Sequence, residues 1–143
     1  MDCVVDTNIF NRLIDGALST GDLPANARMV ATHIQMDELT STRNVQRRAQ
    51  QVKRFETLVD DIVPTESFIL DISRLGEAKL GDGRLYGSLL ADLDRLNGGK
   101  PNNTQDALIA EVAISNRYLL LAADNHLAMV ARKYGCDVRL FPS

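Results

Sequence analysis

Four carboxylate side chains lie where a predicted strand ends or a predicted helix begins. Asp6 and Asp124 each follow closely on an apolar, strand-like run of residues. Glu38 comes a few residues after another such run and opens a helical pattern, and Asp106 lies in the first turn of a later helical pattern. Because ligands of parallel sheets bind at the carboxyl ends of the strands, we expect the four side chains to converge there.

Each of the four acids also has an ordinary structural explanation. Asp6 and Asp124 could cap the helices that follow them, and acids such as Glu38 and Asp106 are favoured in a first helical turn. Several carboxylates held close together, however, repel one another and raise one another's pKa unless a cation neutralises them. Oxygen ligands suit Mg²⁺ or Mn²⁺. Taken together, the four acids therefore predict a divalent-cation site.

Most other metal and nucleophile chemistry is excluded, because the chain contains only two cysteines and two histidines. Cys3 and Cys136 stand near opposite ends and form no Cys-x-x-Cys pair, so we expect both to be small buried apolar residues. His33 and His126 lie in unrelated contexts, which argues against a zinc site with several Cys and His ligands.

Short apolar runs alternate with longer helical patterns along the chain. The runs predict strands over 3–5, 29–34, 118–122 and 138–141, with a short strand or turn between 62–63 and 68–70. The helical patterns cover 9–14, 22–29, 36–39, 43–59, 72–80, 85–96, 104–115 and 127–134. Continuous apolar strands are typical of a parallel sheet that is buried on both faces. The sequence therefore predicts an α/β fold, a three-layer α/β/α sandwich with a mainly parallel central sheet.

Length and composition are those of an ordinary globular domain. The 143 residues are 45% hydrophobic and 24% charged, which fits a single domain over 1–143. Without a membrane-length apolar run or a basic N-terminal flank, a soluble cytoplasmic protein is expected. The formal net charge of −3 argues against a nucleic-acid partner. If the four acids form one site, however, the rest of the chain is nearly neutral.

Four motifs carry these acids. In chain order they are Val4-Val5-Asp6-Thr7-Asn8, Asp37-Glu38-Leu39, Thr104-Gln105-Asp106-Ala107-Leu108-Ile109-Ala110 and Leu121-Ala122-Ala123-Asp124-Asn125-His126. In order, spacing and total length the chain resembles the small single-domain members of the PIN domain family, the VapC-type ribonuclease toxins. Two positions depart from that pattern. Ala122 stands where Thr or Ser is common, and Asn125-His126 replaces a second acid.

The resemblance implies a Mg²⁺- or Mn²⁺-dependent endoribonuclease that is the toxin of a type II toxin–antitoxin system. It further implies an RNA substrate, a cognate antitoxin protein and a homodimer. Asp6, Asp106 and Asp124 are implied as catalytic metal ligands, and Glu38 as a ligand or a water-orienting base. Supporting polar roles, in positioning the first acid or the phosphate, fall to Thr7 and Asn8. Bound divalent cations can activate water and neutralise phosphate charge, so no histidine base is required.

A basic segment follows Glu38 along the chain. Arg43, Arg47 and Arg54 have the spacing of one helix face, and no acid lies between 43 and 54. These arginines are candidate RNA-binding residues, because a local positive charge guides nucleic acid whatever the net charge. The alternative is a solvated helix face. Residues 97–100 contain two glycines and a lysine but lack the spacing of a phosphate-binding loop, so a helix end followed by a turn is predicted.

Three other functions remain open. A phosphatase of the haloacid dehalogenase kind would use Asp6 as its nucleophile, but it needs a second Asp where this chain has Asn8. A non-catalytic scaffold that binds RNA or protein would be expected to lose some of the four acids. A nuclease of RNA maturation or decay would keep them all.

Overall fold

The computed structural model describes residues 1–67 and 83–141. The strands are β1 (Asp2–Val5), β2 (Arg28–Ala31), β3 (Asp61–Ile62), β4 (Leu119–Ala122) and β5 (Val138–Leu140). The helices are α1 (Thr7–Ile14), α2 (His33–Thr40), α3 (Val45–Leu58), α4 (Arg84–Asn97), α5 (Asn103–Asn116) and α6 (Asn125–Lys133). A short 3₁₀ turn lies at Thr20–Asp22.

The five strands form one sheet, all parallel, in the order β3-β2-β1-β4-β5. The chain first builds outward from β1 to β2 and β3, and then returns to β4 and β5 on the other side of β1. The direction of winding therefore reverses between β1 and β4. In open α/β sheets, ligands bind at such a reversal, outside the carboxyl ends of the strands.

Helices cover both faces of the sheet. Successive side chains of each strand point to opposite faces, so each strand contributes to two cores. Val4 packs into a core with α4, α5 and α6, whereas Cys3 and Val5 pack with α1 and α3. In the second core the rings of Phe10 and Phe55 lie 5.5 Å apart. These layers confirm the predicted three-layer α/β/α sandwich with a parallel sheet. Both cysteines are free and buried, as predicted.

Helix α5 is buried over most of its length. Every residue over 106–113 is buried, so this helix lies between the sheet and α4 and α6 rather than exposing one polar face to water. A helix stretch that is buried on all sides belongs in a core, even though α5 also carries the acids Asp106 and Glu111. The burial carries the Asp106 carboxyl inward with the apolar residues that follow it.

Two sequence predictions are corrected here. The helix predicted over 22–29 does not form: Asn26 has a left-handed φ of 59°, and β2 already begins at Arg28. The strand predicted over 29–34 ends at Ala31, because the Thr32 side chain caps a helix that starts at once. The predicted features at 68–70 and 72–80 lie outside the described residues. Within 1–67 and 83–141, none of the helices has the length and apolar character needed to cross a membrane.

Candidate functional site

Asp6 lies at the carboxyl end of β1, directly before α1. Its backbone N–H donates to the Leu121 carbonyl at 2.9 Å, which ties it to the end of β4. Asp6 as a whole is 2% exposed, and its carboxyl accepts a long hydrogen bond of 3.4 Å from the backbone N–H of Ala123. Burial raises the pKa of Asp6 to about 6; the Ala123 bond opposes this rise, and the charge of Asp124 adds to it.

Glu38 approaches the same end of β1 from helix α2. The Thr7 hydroxyl donates to Glu38 Oε1 at 2.9 Å. Burial raises the pKa of Glu38 to about 7, the Thr7 bond opposes the rise, and the charge of Asp6 adds to it.

The prediction that Glu38 opens a helix is wrong, because α2 begins at His33 and Glu38 lies near its end. The Thr7 hydroxyl thus holds Glu38, while the backbone N–H groups of Thr7 and Asn8 bond to the Asp6 carboxyl and oppose the rise in its pKa.

Asp106 is the acid on which the other charges converge. It lies in the first turn of α5 and is 7% exposed. Burial raises its pKa to about 8, with further increases from the charges of Asp6, Glu38 and Asp124, in that order. The structure therefore brings the four predicted acids into one electrostatic cluster, which we call the acidic cluster.

Asp124 has a double position, as a helix cap and as a member of the acidic cluster. Its Oδ1 accepts from the backbone N–H groups of His126 at 2.7 Å and Leu127 at 3.1 Å, at the start of α6. From α1, Arg12 donates to the Ala123 carbonyl at 3.3 Å and also to the Phe141 carbonyl. Arg12, which the sequence did not single out, thus ties α1 to the turn that carries Asp124.

Changing Asp124 to Asn separates these two roles. Asn caps helices about as well as Asp, so Asp124→Asn is expected to leave the unfolding free energy within about 0.5 kcal/mol, whereas Asp124→Ala should lower it by about 1 kcal/mol. If the chain has the ribonuclease activity that the sequence predicts, both variants should lose it, because both remove a charge from the acidic cluster. Thermal unfolding and cleavage assays on the two variants check this. Full activity in Asp124→Asn would show that Asp124 only caps α6 and has no role in catalysis.

The acidic cluster has the ligand chemistry of a divalent-cation site. Its donors are all carboxylate oxygens, the ligands that Mg²⁺ and Mn²⁺ prefer, and their mutual repulsion is what a cation would relieve. Across residues 1–67 and 83–141, however, no three His, Cys, Asp or Glu side chains already lie in an arrangement that would hold a metal ion. The donor chemistry fits, and binding would require the carboxylates to draw closer together.

The positive charge of a lysine in the loop between α4 and α5 acts on the acidic cluster. The loop begins as predicted with a helix end, where Gly98 and Gly99 have left-handed φ values of 73° and 80°. The Asn103 side chain then donates to Asp94 at 2.7 Å and so holds the two helices together. The positive charge of Lys100 lowers the pKa of Asp106 and so offsets part of the repulsion.

The three candidate RNA-binding arginines do not share one helix face. Asn44 caps α3, so Arg43 precedes the helix. Arg47 pairs at 2.8 Å with Asp15, the residue directly after α1, which gives it a structural contact. Arg54 lines an open cleft of about 400 Å³ between α1 and α3, together with Lys53. The remaining supporting residue, Asn8, is exposed at the start of α1.

Similarity to known proteins is seen in structure rather than in sequence. No protein-family model and no curated protein matches the sequence. A chain of VapBC2 from Rickettsia felis, in a crystal structure bound to a DNA fragment from their promoter, is 16% identical with a TM-score of 0.60, over 99% of each chain. A chain of VapBC-1 from nontypeable Haemophilus influenzae is 20% identical with a TM-score of 0.58, over 97% of each chain.

A third solved structure agrees with these two. A chain of VapBC-5 from Mycobacterium tuberculosis, a member of the VapBC family of toxin–antitoxin systems, is 17% identical with a TM-score of 0.50. The match covers 99% of this chain and 98% of that one. All three similarities extend over the whole α/β/α sandwich. The chain therefore has the PIN-like fold that is also found in VapBC toxin–antitoxin structures.

Proposed function

We propose that this chain is a Mg²⁺- or Mn²⁺-dependent endoribonuclease that acts as the toxin of a toxin–antitoxin pair. The observation that carries the proposal is the acidic cluster at the winding reversal between β1 and β4. Burial and mutual repulsion raise the pKa of three of its members, and a fold has no structural need for such a cluster. Perturbed carboxyls in one place are the mark of a functional site.

The residues of the acidic cluster and its neighbours have distinct roles in this proposal. Asp6, Asp106 and Asp124 would hold the cation, and Glu38 would hold it or orient the attacking water. A bound divalent cation would supply Lewis-acid activation of water and neutralise the charge that develops on the phosphate. Thr7 keeps the Glu38 carboxyl turned toward Asp6 through its hydroxyl. Lys100 is placed to offset charge at the rim of the site.

The toxin assignment rests on the solved structures that share the fold. They are VapBC toxin–antitoxin proteins, so we propose an antitoxin protein as the partner of this chain, a homodimer as its own assembly and the cytoplasm as its place of action. Growth arrest on expression, relieved by the product of a neighbouring small gene, would support the toxin. Cleavage without arrest would instead favour the nuclease of RNA maturation or decay.

One experiment tests the activity itself. The purified chain is incubated with total RNA in Mg²⁺, in Mn²⁺ and in a chelator, with a variant of Asp6 alongside. Cleavage that requires the cation and Asp6 supports the proposal. RNA that binds but stays intact under all three conditions would point to the non-catalytic scaffold, and a trapped aspartyl-phosphate on Asp6 would point to the phosphatase.

Reversing the charge of Arg43 and Arg54 together should weaken RNA binding. Phosphate contacts bind substrate and transition state alike, so the double change to Glu is expected to raise KM about tenfold at low salt with little change in kcat. Arg117 is an exposed arginine between α5 and β4, and Arg117→Glu serves as the matched control. Cleavage kinetics at two salt concentrations measure the effect. An unchanged KM in the double variant would assign both arginines to the solvated surface.

A further inference from the structure

Gln35 of α2 is fully buried, although its side chain is polar. Its Oε1 accepts hydrogen bonds from the Thr32 backbone N–H at 2.9 Å and from the Thr32 hydroxyl at 2.7 Å. These bonds complete a capping box at the start of the helix. The capping box leaves the amide nitrogen free for a further task, and Gln35 Nε2 donates to the Val5 carbonyl at 3.0 Å.

The Val5 carbonyl lies at the point where β1 and β2 separate. The last paired residues of the two strands are Val4 and Val30, and β2 ends one residue later. A buried carbonyl without a partner is costly, and Gln35 supplies the missing donor. The same peptide is held from the other side, where the Asp6 N–H donates to the Leu121 carbonyl at 2.9 Å. The peptide that precedes Asp6 is thus fixed between α2 and β4.

Gln35 and Glu38 lie three residues apart, which places them on one face of α2. Glu38 accepts from Thr7 at 2.9 Å, and Gln35 donates to Val5 at 3.0 Å. Helix α2 is therefore attached to the residues directly before and directly after Asp6. An apolar side chain at position 35 would bury at less cost, so the buried amide is tolerated only through the bonds that it makes.

We propose that Gln35 is a positioning residue that sets the separation of Glu38 from Asp6, so that both carboxylates can serve one divalent cation. This inference rests on the metal-dependent function proposed above. It assigns to Gln35 a role beyond capping its own helix. Groups that orient metal ligands typically change metal affinity by 10- to 100-fold when they are removed.

The experiment measures binding of Mn²⁺ alone to the full chain, by calorimetry and by electron paramagnetic resonance. Gln35→Met keeps the length of the side chain and removes the amide, and it is expected to weaken Mn²⁺ binding at least about tenfold. Thr32→Val removes the capping hydroxyl but leaves the Gln35–Val5 bond, and it should keep the Mn²⁺ affinity within about twofold. Equal weakening in both variants would reduce Gln35 to a helix cap and overturn the inference.

A double-mutant cycle with Glu38→Gln separates positioning from general loss of stability. If Gln35 acts through Glu38, adding Gln35→Met to Glu38→Gln should change the Mn²⁺ affinity by no more than about twofold. A full additional loss would contradict the inference. Should Gln35→Met lack the circular dichroism of the folded chain, Gln35→Asn replaces it, since its shorter amide cannot reach both Thr32 and Val5. A wild-type chain that fails to bind Mn²⁺ would overturn the proposed metal site as well, whereas unaffected Gln35 variants overturn this inference alone.

Discussion

Changing Asp6 to Asn is expected to abolish RNA cleavage, with a loss of at least about a hundredfold, while the fold stays intact. Asn keeps an oxygen that can accept from the Ala123 N–H, the bond that Asp6 makes at 3.4 Å. It cannot carry the negative charge that a cation requires. Without a cation the buried carboxylate is a cost, because burial raises its pKa to about 6. The metal-free variant should therefore unfold at the same temperature as the wild type or higher at neutral pH.

The matched control for this change is Asp2→Asn, at the opposite end of the same strand. Asp2 is partly exposed and pairs with Arg28 at 3.1 Å, so its loss should alter stability by less than about 1 kcal/mol and leave cleavage unchanged. Cleavage is followed with a defined RNA, and folding by circular dichroism and thermal unfolding. Full cleavage by a well-folded Asp6→Asn chain would contradict the assignment of the acidic cluster as the active site.

In the absence of divalent cations, the protein should lose stability as the pH rises from about 5 to about 8. The pKa values of Asp6, Glu38 and Asp106 are raised to about 6, 7 and 8, so the folded chain binds more protons than the unfolded chain in this range. Stability then falls with rising pH. The expected loss is at least about 2 kcal/mol, or on the order of 5–10 °C in Tm. Thermal unfolding in a chelator across the pH range measures it.

Adding Mn²⁺ should restore most of this stability at pH 8 and little of it at pH 5. A ligand that binds only the folded state raises its stability, and the carboxylates must be deprotonated to bind a cation. Asp106→Asn is the informative variant, because it removes the acid with the most raised pKa and should flatten the pH dependence. Asp92 does not add to this pH dependence. Its pKa is lowered by Tyr134 and Lys133, so its contribution to folding stability is lost only in more acidic solution. A Tm that is independent of pH and of Mn²⁺ would contradict the acidic cluster.

The sequence predicted the fold class and the membership of the acidic cluster because both depend on local signals. Apolar runs that end in an acid mark the ends of β1 and β4, and the deeply apolar stretch after Asp106 marks a central helix. The parallel pairing of β1 with β4, which brings Asp6 to Asp124, follows from the winding of the whole chain. No periodicity in the sequence encodes that order.

The errors in the sequence prediction have identifiable causes. Ile34 continues an apolar run that predicts a strand, but a short apolar run is equally compatible with a helix. The pair Thr32 and Gln35, with the spacing of a capping box, was the signal that would have begun α2 earlier. Likewise Asn44 is a good helix cap, which would have placed Arg43 outside α3. Contacts such as Arg12 with Ala123 join residues over a hundred positions apart and leave no local pattern.

The pairing of β1 with β4 has a consequence for the synthesis of the protein on the ribosome. Cys3, Val4 and Val5 pair with residues 119–121, so more than a hundred further residues must be made before the strand that carries Asp6 gains this neighbour. A ribosome that has made only the first hundred residues holds a segment without Asp106, Asp124 or the β4 edge. A chain that ends before β4 lacks the assembled acidic cluster, so if the proposed activity is correct, we expect it to appear only after β4 has been made.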